Sequence, residues 1–197
     1  MMALIKVENL KVERSGRTIC AVPDLSVQPG ERLGIHGGNG SGKTTLLRVL
    51  AGLDRDYDGQ FRFSIHRSEV VYVHQRPFLF RGTVLFNAAY ALRARGAGRQ
   101  SAMARGMQML QRLGIEKLAS ARVGHLSGGE RRLAALARAM AIESKVLLLD
   151  EPFEDLDRHG MQRVIDIMAE LPGTTILIAS PKGLPDSVAT SEFHFGG

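Results

Sequence analysis

The chain has 197 residues, of which 44% are hydrophobic and 23% charged, and its formal net charge is +6 at pH 7. That length suits one domain, and the composition is typical of soluble globular proteins. No apolar run approaches the ~18 residues of a membrane-spanning helix, and the first residues lack the apolar core of a signal peptide. The single cysteine, Cys20, excludes an internal disulfide and fits a reducing cytoplasm.

The first part of the chain is predicted to be mainly β-structure. Alternating or clustered apolar residues predict strands over residues 4–12, 18–22, 25–27, 31–36, 60–65 and 70–73. Turn residues separate the early strands, at Ser15-Gly16, at Pro23-Asp24 and at Pro29-Gly30. Between the strands 31–36 and 60–65 we expect one helix that ends near Gly52.

The rest of the chain alternates helices with short apolar strands. Helical spacing predicts helices over residues 83–95, 101–113, 130–142 and 158–171, and apolar runs predict strands over 146–149 and 175–179. This order indicates an α/β fold with a parallel sheet. We expect a single domain over 1–197, with an antiparallel β subdomain at its start and a helical subdomain inserted over about 76–130.

Residues 37–45 form a glycine-rich loop that fits the phosphate-loop pattern G-x-x-x-x-G-K-[ST]. Glycines let the backbone N-H groups face an anion, and the following helix adds its positive dipole end. Lys43 is expected to reach the β- and γ-phosphates, and Thr44 to ligate Mg²⁺. A chance glycine-rich turn is the alternative, but the flanking strand and helix favour a P-loop NTPase sheet. The predicted nucleotide-binding residues of the loop are Gly37, Gly38, Asn39, Gly40, Ser41, Gly42, Lys43, Thr44 and Thr45.

Two acidic residues end the apolar strand 146–149. A carboxylate at the end of a buried strand, such as Asp150, is placed to ligate the Mg²⁺ of the phosphate loop. The next residue, Glu151, is a candidate general base for a water directed at the γ-phosphate. A strand end that is acidic by chance is the alternative, and the phosphate loop elsewhere in the chain weighs against it.

The segment 126–130 reads Leu-Ser-Gly-Gly-Glu and precedes a predicted helix. Ser127 can cap that helix as a purely structural device. Gly128 and Gly129 can equally expose N-H groups to an anion. Because the chain already has one phosphate loop, a second anion site makes most sense if it binds the nucleotide of another subunit.

Taken together, these motifs resemble the ATP-binding cassette of ABC transporters over essentially the whole chain. The resemblance adds a glutamine loop at Gln75, implied to be a catalytic residue and a metal ligand, and a D-loop over 152–157. It implies an ABC-type ATPase that uses ATP and Mg²⁺, with Lys43 and Glu151 as further catalytic residues. In that family two cassettes, identical or different, meet head to tail. Each ATP lies between one phosphate loop and the other subunit's signature, here Ser127 to Gly129.

The sequence departs from the family pattern at three places. Ser15 stands where an adenine-stacking aromatic residue is usual, so Arg14 or Arg17 would have to stack instead, unless both are simply solvated. The D-loop carries Glu154-Asp155 in place of Ser-Ala. Where the family has a γ-phosphate-sensing histidine, the chain has Pro181, which predicts slow hydrolysis unless Lys182 or a companion cassette compensates.

Six arginines add to the net positive charge without aromatic residues between them, which argues against a nucleic-acid partner. We expect either a solvated face near acidic lipid head groups or charge without a partner. The arginines are Arg93, Arg95, Arg99, Arg105, Arg112 and Arg122.

The resemblance implies the ATPase subunit of a membrane transporter, peripheral on the cytoplasmic face, that energises a separate transmembrane permease. The stretch 74–96 resembles tungstate- and molybdate-type importer ATPases. Two alternatives remain: a soluble ABC ATPase of DNA repair or translation, and a regulatory cassette with little hydrolysis. The long coiled-coil insertion and the second cassette typical of the soluble class are missing, and intact Lys43, Asp150 and Glu151 weigh against the regulatory one.

Overall fold

A computed structural model describes residues 2–171, 173–185 and 187–195. Within these residues the chain forms two compact units. The first consists of Met1–Tyr72, Ser144–Glu151 and Pro172–Gly197, and the second of Val73–Glu143 and Pro152–Leu171.

The strands are β1 (Ile5–Arg14), β2 (Arg17–Val27), β3 (Arg32–His36), β4 (Asp58–Phe63), β5 (Val70–Val73), β6 (Val146–Asp150), β7 (Thr175–Ser180) and β8 (Ser191–His194). The α-helices are α1 (Lys43–Leu50), α2 (Val84–Ala94), α3 (Arg99–Arg112), α4 (Gly128–Met140) and α5 (Arg158–Glu170). Short 3₁₀ turns cover Arg67–Glu69, Glu116–Leu118 and Val123–His125. The predicted helices are confirmed to within two residues at their ends.

An antiparallel sheet of three strands, in the order β2-β1-β4, opens the first unit. The prediction of a break at Pro23-Asp24 is wrong, because β2 runs through both residues. The pairing with β1 continues on either side of Pro23, with Val22 opposite Leu10 and Asp24 opposite Glu8. Because β2 lies at the sheet edge, the missing N-H of proline costs no ladder bond with a second neighbour.

The parallel sheet has the order β5-β6-β7-β3-β8. Strand β7 pairs in parallel with both β6 and β3, and β3 pairs in parallel with β8. All five residues of β6 are buried, as expected of a central strand with both faces covered. The predicted α/β class, with a parallel and an antiparallel sheet, is therefore confirmed, whereas β8 was not predicted.

One hydrophobic cluster joins both sheets of the first unit to α1. The helix contributes Leu46, Leu47 and Leu50, which are at most 1% exposed. Burial of such a side chain stabilises the fold by about 1.5–3 kcal/mol. This packing fixes α1, and with it the loop that precedes it, against the parallel sheet.

The second unit is built from helices α2 to α5. The side chain of Thr83 caps α2 by accepting a hydrogen bond from the N-H of Phe86 at 3.1 Å. The buried Asn87 donates to the carbonyl of Phe80 at 2.9 Å and accepts from its N-H at 2.8 Å, which holds the preceding loop. The unit is larger than the 76–130 segment, so an inserted subdomain with those bounds stays a prediction. No helix among the described residues is long and apolar enough to cross a membrane.

Candidate nucleotide site

The phosphate loop connects β3 to α1 in the first unit, as its position in the sequence predicts. Gly42 precedes the helix with a φ of 107°, in the left-handed region that favours glycine. A Cβ added at Gly42 would lie 2.6 Å from the carbonyl oxygen of Ile19 on β2. Glycine is therefore needed at position 42 both for its backbone angle and for the close approach of β2.

Lys43 lies folded into this loop and is only 5% exposed. Its Nζ donates to the carbonyl oxygens of Gly37 and Gly38, at 2.7 and 2.8 Å, and lies 3.5 Å from Ser41 Oγ. Within the ranges that the structure describes, no carboxylate forms an ion pair with Lys43. A buried ammonium that is satisfied by carbonyl dipoles alone, at a helix N-terminus, attracts an anion.

Asp150 lies at the carboxyl end of β6 and is completely buried. Its Oδ1 accepts a hydrogen bond from Thr44 Oγ1 at 3.0 Å, and its Oδ2 accepts one from Tyr72 Oη at 3.1 Å. A hydroxyl and a carboxylate oxygen held together are the hard oxygen donors that Mg²⁺ prefers, so the residues present fit that ion. Sequence reasoning missed Tyr72, because only the order of strands in the sheet places β5 beside β6.

Burial raises the pKa of Tyr72 well above its ordinary value, and the neighbouring Asp150 carboxylate raises it further, against a smaller opposing effect of Arg48. The phenol is therefore protonated at physiological pH and acts as a hydrogen-bond donor. A donor of this kind offsets part of the cost of burying the Asp150 charge.

Glu151 directly follows β6 and adopts a φ of 50°, which is unusual for a residue with a side chain. Its N-H donates to the carbonyl of Ala179 at 3.0 Å, so the turn is fixed to β7. Strain of this kind costs about 1–3 kcal/mol and is concentrated at functional sites. A half-buried carboxylate held there can accept a proton from a water molecule.

Pro181 follows β7 and is exposed, as is Lys182. The hydroxyl of Ser180 donates to the carbonyl of Lys182, which closes a short turn after the strand. Proline offers neither a side-chain donor nor an N-H. The slow hydrolysis inferred from Pro181, and its compensation by Lys182, stay predictions.

In the second unit, Ser127 caps α4, as one of the two sequence interpretations proposed. Its Oγ accepts from the N-H of Glu130 at 3.3 Å, while the Glu130 carboxylate accepts from both the N-H and the hydroxyl of Ser127 at 2.8 Å. The hydrogen bonds that the Glu130 carboxylate accepts lower its pKa, and the largest effect comes from the N-H of Ser127, followed by the Ser127 hydroxyl. The cap explains the serine structurally, so the anion site at Ser127, Gly128 and Gly129 stays a prediction.

The acidic D-loop residues pack on α4 and Gln75 in this unit. Glu154 Oε2 lies 3.2 Å from Arg132 Nη2 and accepts from Gln75 Nε2 at 3.4 Å. The side chain of Arg132 is only 3% exposed. A Cβ at Gly129 would lie 2.7 Å from the carbonyl oxygen of Asp155, so the D-loop turn requires a glycine there. Glu154 therefore neutralises a buried arginine, a partnership that the sequence alone does not reveal.

Replacement of Glu154 by leucine should lower the free energy of unfolding by about 1.5–3 kcal/mol, because it removes a hydrogen-bonded charge partner of the buried Arg132. Thermal and urea denaturation measure this effect. Glu170→Leu is the matched control, since Glu170 pairs with Arg112 at the surface and such pairs contribute about 0–1 kcal/mol. Equal losses in the two variants would contradict a special role of Glu154.

The structure also bears on the two arginines considered for adenine stacking. Arg14 donates to Asp54 Oδ1 at 2.6 Å and to Asp56 Oδ2 at 2.8 Å. Its guanidinium is therefore engaged by two carboxylates, which leaves Arg17 as the better of the two candidates. The turn at Ser15-Gly16 that precedes Arg17 is confirmed, with positive φ at both residues.

The predicted site residues thus fall into two groups, one in each unit. The first unit brings together the phosphate loop, the hydrogen-bonded pair of Thr44 and Asp150, and the adjoining Glu151. The second unit contains Gln75 and the residues Ser127, Gly128 and Gly129.

A family model described as ABC transporter matches residues 21–154. The tungstate uptake system ATP-binding protein TupC of Peptoclostridium acidaminophilum is 38% identical over 81% of this chain and 77% of its own length. The lipoprotein-releasing system ATP-binding protein LolD of Chromohalobacter salexigens is 34% identical over 84% of this chain and 78% of its own.

Among solved structures, cbiO1 from Clostridium perfringens, part of the ABC transporter complex cbiONQ, has a TM-score of 0.76 at 29% sequence identity. The match covers 92% of this chain and 80% of that chain. The phosphate loop and the Thr44–Asp150 pair lie at the carboxyl ends of β3 and β6 in the parallel sheet, and these matches agree with the motifs. The chain belongs to the ABC transporter family, as one of its ATP-binding ATPase domains.

Proposed function

We propose that this chain hydrolyses ATP to energise a separate membrane permease, closing on a second cassette in each cycle. The observation that carries the proposal is the buried ammonium of Lys43, which is held by loop carbonyls beside the Thr44–Asp150 pair. Such an ammonium offers a charge-assisted contact to the β- and γ-phosphates. The relatives named as ATP-binding proteins of transport systems support it.

The site residues of the first unit have separate roles in the proposed reaction. The loop amides and Lys43 bind and orient the phosphates, and Thr44 with Asp150 would hold Mg²⁺, which supplies positive charge to the phosphate oxygens. Glu151 takes a proton from the attacking water while the water oxygen bonds to the γ-phosphorus, the bond to the β–γ bridging oxygen breaks and ADP leaves. Gln75 is proposed as a further metal ligand and catalytic residue, and Ser127 to Gly129 as the contact to the ATP of the second cassette.

The permease is proposed to dock on an aromatic surface of the second unit, defined by Phe78, Phe86 and Tyr90. These side chains are 72%, 40% and 37% exposed, which is unusual for large apolar groups. Arg138 donates a hydrogen bond to the carbonyl oxygen of Phe78 at 2.8 Å, and its guanidinium lies over the ring of Phe80. These two contacts hold the loop that carries Phe78. A fixed apolar surface of this kind suits a protein partner. Docking on the permease would place the chain at the cytoplasmic face of a membrane, where ATP is available.

Import of a tungstate-like oxyanion is proposed as the transport reaction. It is supported by the 38% identity to TupC, although LolD at 34% identity belongs to a system with an unrelated cargo. The proposal can be tested with membrane vesicles that contain ATP in their interior. Their membrane contains a multi-span protein whose gene lies beside the gene for this chain. We expect radiolabelled tungstate to enter only with the chain present, and not with its Glu151→Gln variant. Uptake without the chain would contradict the permease role, whereas ATP-dependent uptake of a different solute would overturn only the choice of oxyanion.

Substitution of Pro181 by histidine should raise the turnover of ATP. A lost charge-stabilising contact in such a site costs on the order of 3 kcal/mol, or about a hundredfold in rate. Steady-state phosphate release by the wild type, Pro181→His and Lys182→Ala measures the effect. A loss of turnover in Lys182→Ala would show that Lys182 already compensates. If the wild type is fast and neither change alters it, position 181 does not limit hydrolysis.

A further inference from the structure

The side chain of Asp150 is held from two sides within the first unit. Its Oδ1 is bonded to Thr44 on the phosphate-loop side, and its Oδ2 is bonded to Tyr72, which projects from the neighbouring strand β5. Asp150 is 0% exposed, and across the described ranges no arginine, lysine or histidine forms an ion pair with it. The two hydroxyl groups are thus its hydrogen-bond partners among the described side chains.

The two bonds have different consequences for a bound cation. A carboxylate can rotate about its last side-chain bond, since torsions of this type are broad. The bond from Tyr72 restrains Oδ2 and thereby directs Oδ1 toward Thr44, at 3.0 Å.

We propose that Tyr72 is a positioning residue, whose hydroxyl holds the Asp150 carboxylate in the orientation that binds the divalent cation together with Thr44. The inference rests on the proposed function, in which Thr44 and Asp150 hold that cation. Partners that orient a metal ligand in this way typically change metal affinity by 10- to 100-fold when they are removed.

Tyr72→Phe tests the proposal, because it removes one oxygen atom and keeps the ring. Tyr57→Phe is the matched control: it makes the same change in the same unit, at a residue that packs against Phe61. The probe is Mn²⁺, whose affinity for the full chain with a non-hydrolysable ATP analogue is measured by electron paramagnetic resonance, along with the melting temperature.

We expect Tyr72→Phe to weaken Mn²⁺ binding at least tenfold, with Tyr57→Phe close to the wild type. In an Asp150→Asn background, Tyr72→Phe should cause no further loss of Mn²⁺ affinity, because Tyr72 acts through Asp150. Unchanged Mn²⁺ affinity in a folded Tyr72→Phe variant, or additive losses, would overturn the inference while leaving the cation site standing. Absence of analogue-dependent Mn²⁺ binding in the wild type would overturn the inference and the metal part of the proposed function together.

Should Tyr72→Phe lack a thermal transition, 3-fluorotyrosine at position 72 provides the second variant. It keeps the ring and the hydroxyl, and the hydroxyl becomes a stronger hydrogen-bond donor. A shift in Mn²⁺ affinity is then the expected result. The wild-type affinity in this variant would contradict a role for the Tyr72 hydroxyl.

Discussion

Lys43→Ala is expected to weaken ATP binding by about ten- to a hundredfold. The reason is that Lys43 is a buried cation whose described partners are neutral loop oxygens, so its charge is available to the phosphates. A hydrogen bond to a charged group contributes about 1.5–3 kcal/mol, and about 2.7 kcal/mol corresponds to a hundredfold in affinity. Equilibrium binding of a non-hydrolysable ATP analogue measures the loss.

Lys117→Ala is the control for that measurement, because it removes an exposed lysine of the second unit. It should bind the analogue as the wild type does. If Lys43→Ala remains folded and binds ATP normally, the phosphates do not lie in the loop over 37–45, and the site must be sought elsewhere.

Glu151→Gln is expected to slow hydrolysis by 10²- to 10⁴-fold while ATP binding remains, since the amide keeps the shape of the side chain but cannot accept the proton of water. Phosphate release under saturating ATP measures the rate, and analogue binding measures the affinity. With hydrolysis blocked, the variant should also accumulate as an ATP-dependent dimer, which size measurements detect.

Glu143→Gln provides a closely matched control, because Glu143 shares the positive φ of Glu151, at 52° against 50°, and pairs with Arg105 at the surface. It should leave turnover unchanged. An equal loss of ATP affinity and turnover in Glu151→Gln would show that Glu151 acts in binding. A variant that binds ATP but stays monomeric would contradict self-association and favour a different cassette as partner.

Those parts of the fold that depend on local sequence were predictable. The phosphate loop is a contiguous motif whose flanking strand and helix are fixed by apolar spacing, and β6 is recognisable as a short apolar run that ends in Asp150. The break predicted at Pro23 failed for a physical reason. Proline interrupts a central strand but not an edge strand, and the sequence does not state which strand lies at the edge.

Contacts between distant segments were not predictable. Tyr72 reaches Asp150 only because β5 is the neighbour of β6, and Arg132 pairs with Glu154 because the D-loop turn packs on α4. Neither pair has a fixed spacing in the sequence. In the sequence, Glu154-Asp155 is only a departure from the family pattern, whereas the structure pairs Glu154 with the buried Arg132.

Release of inorganic phosphate from ATP by the purified chain tests the central claim most directly, with Mg²⁺ present and with Lys43→Ala as the blank. The proposed function predicts phosphate release by the wild type that exceeds the blank, that is lost when Mg²⁺ is chelated, and that is restored when the ion is returned. Release equal to that of Lys43→Ala, at ATP concentrations where the wild type is saturated with nucleotide, would contradict it.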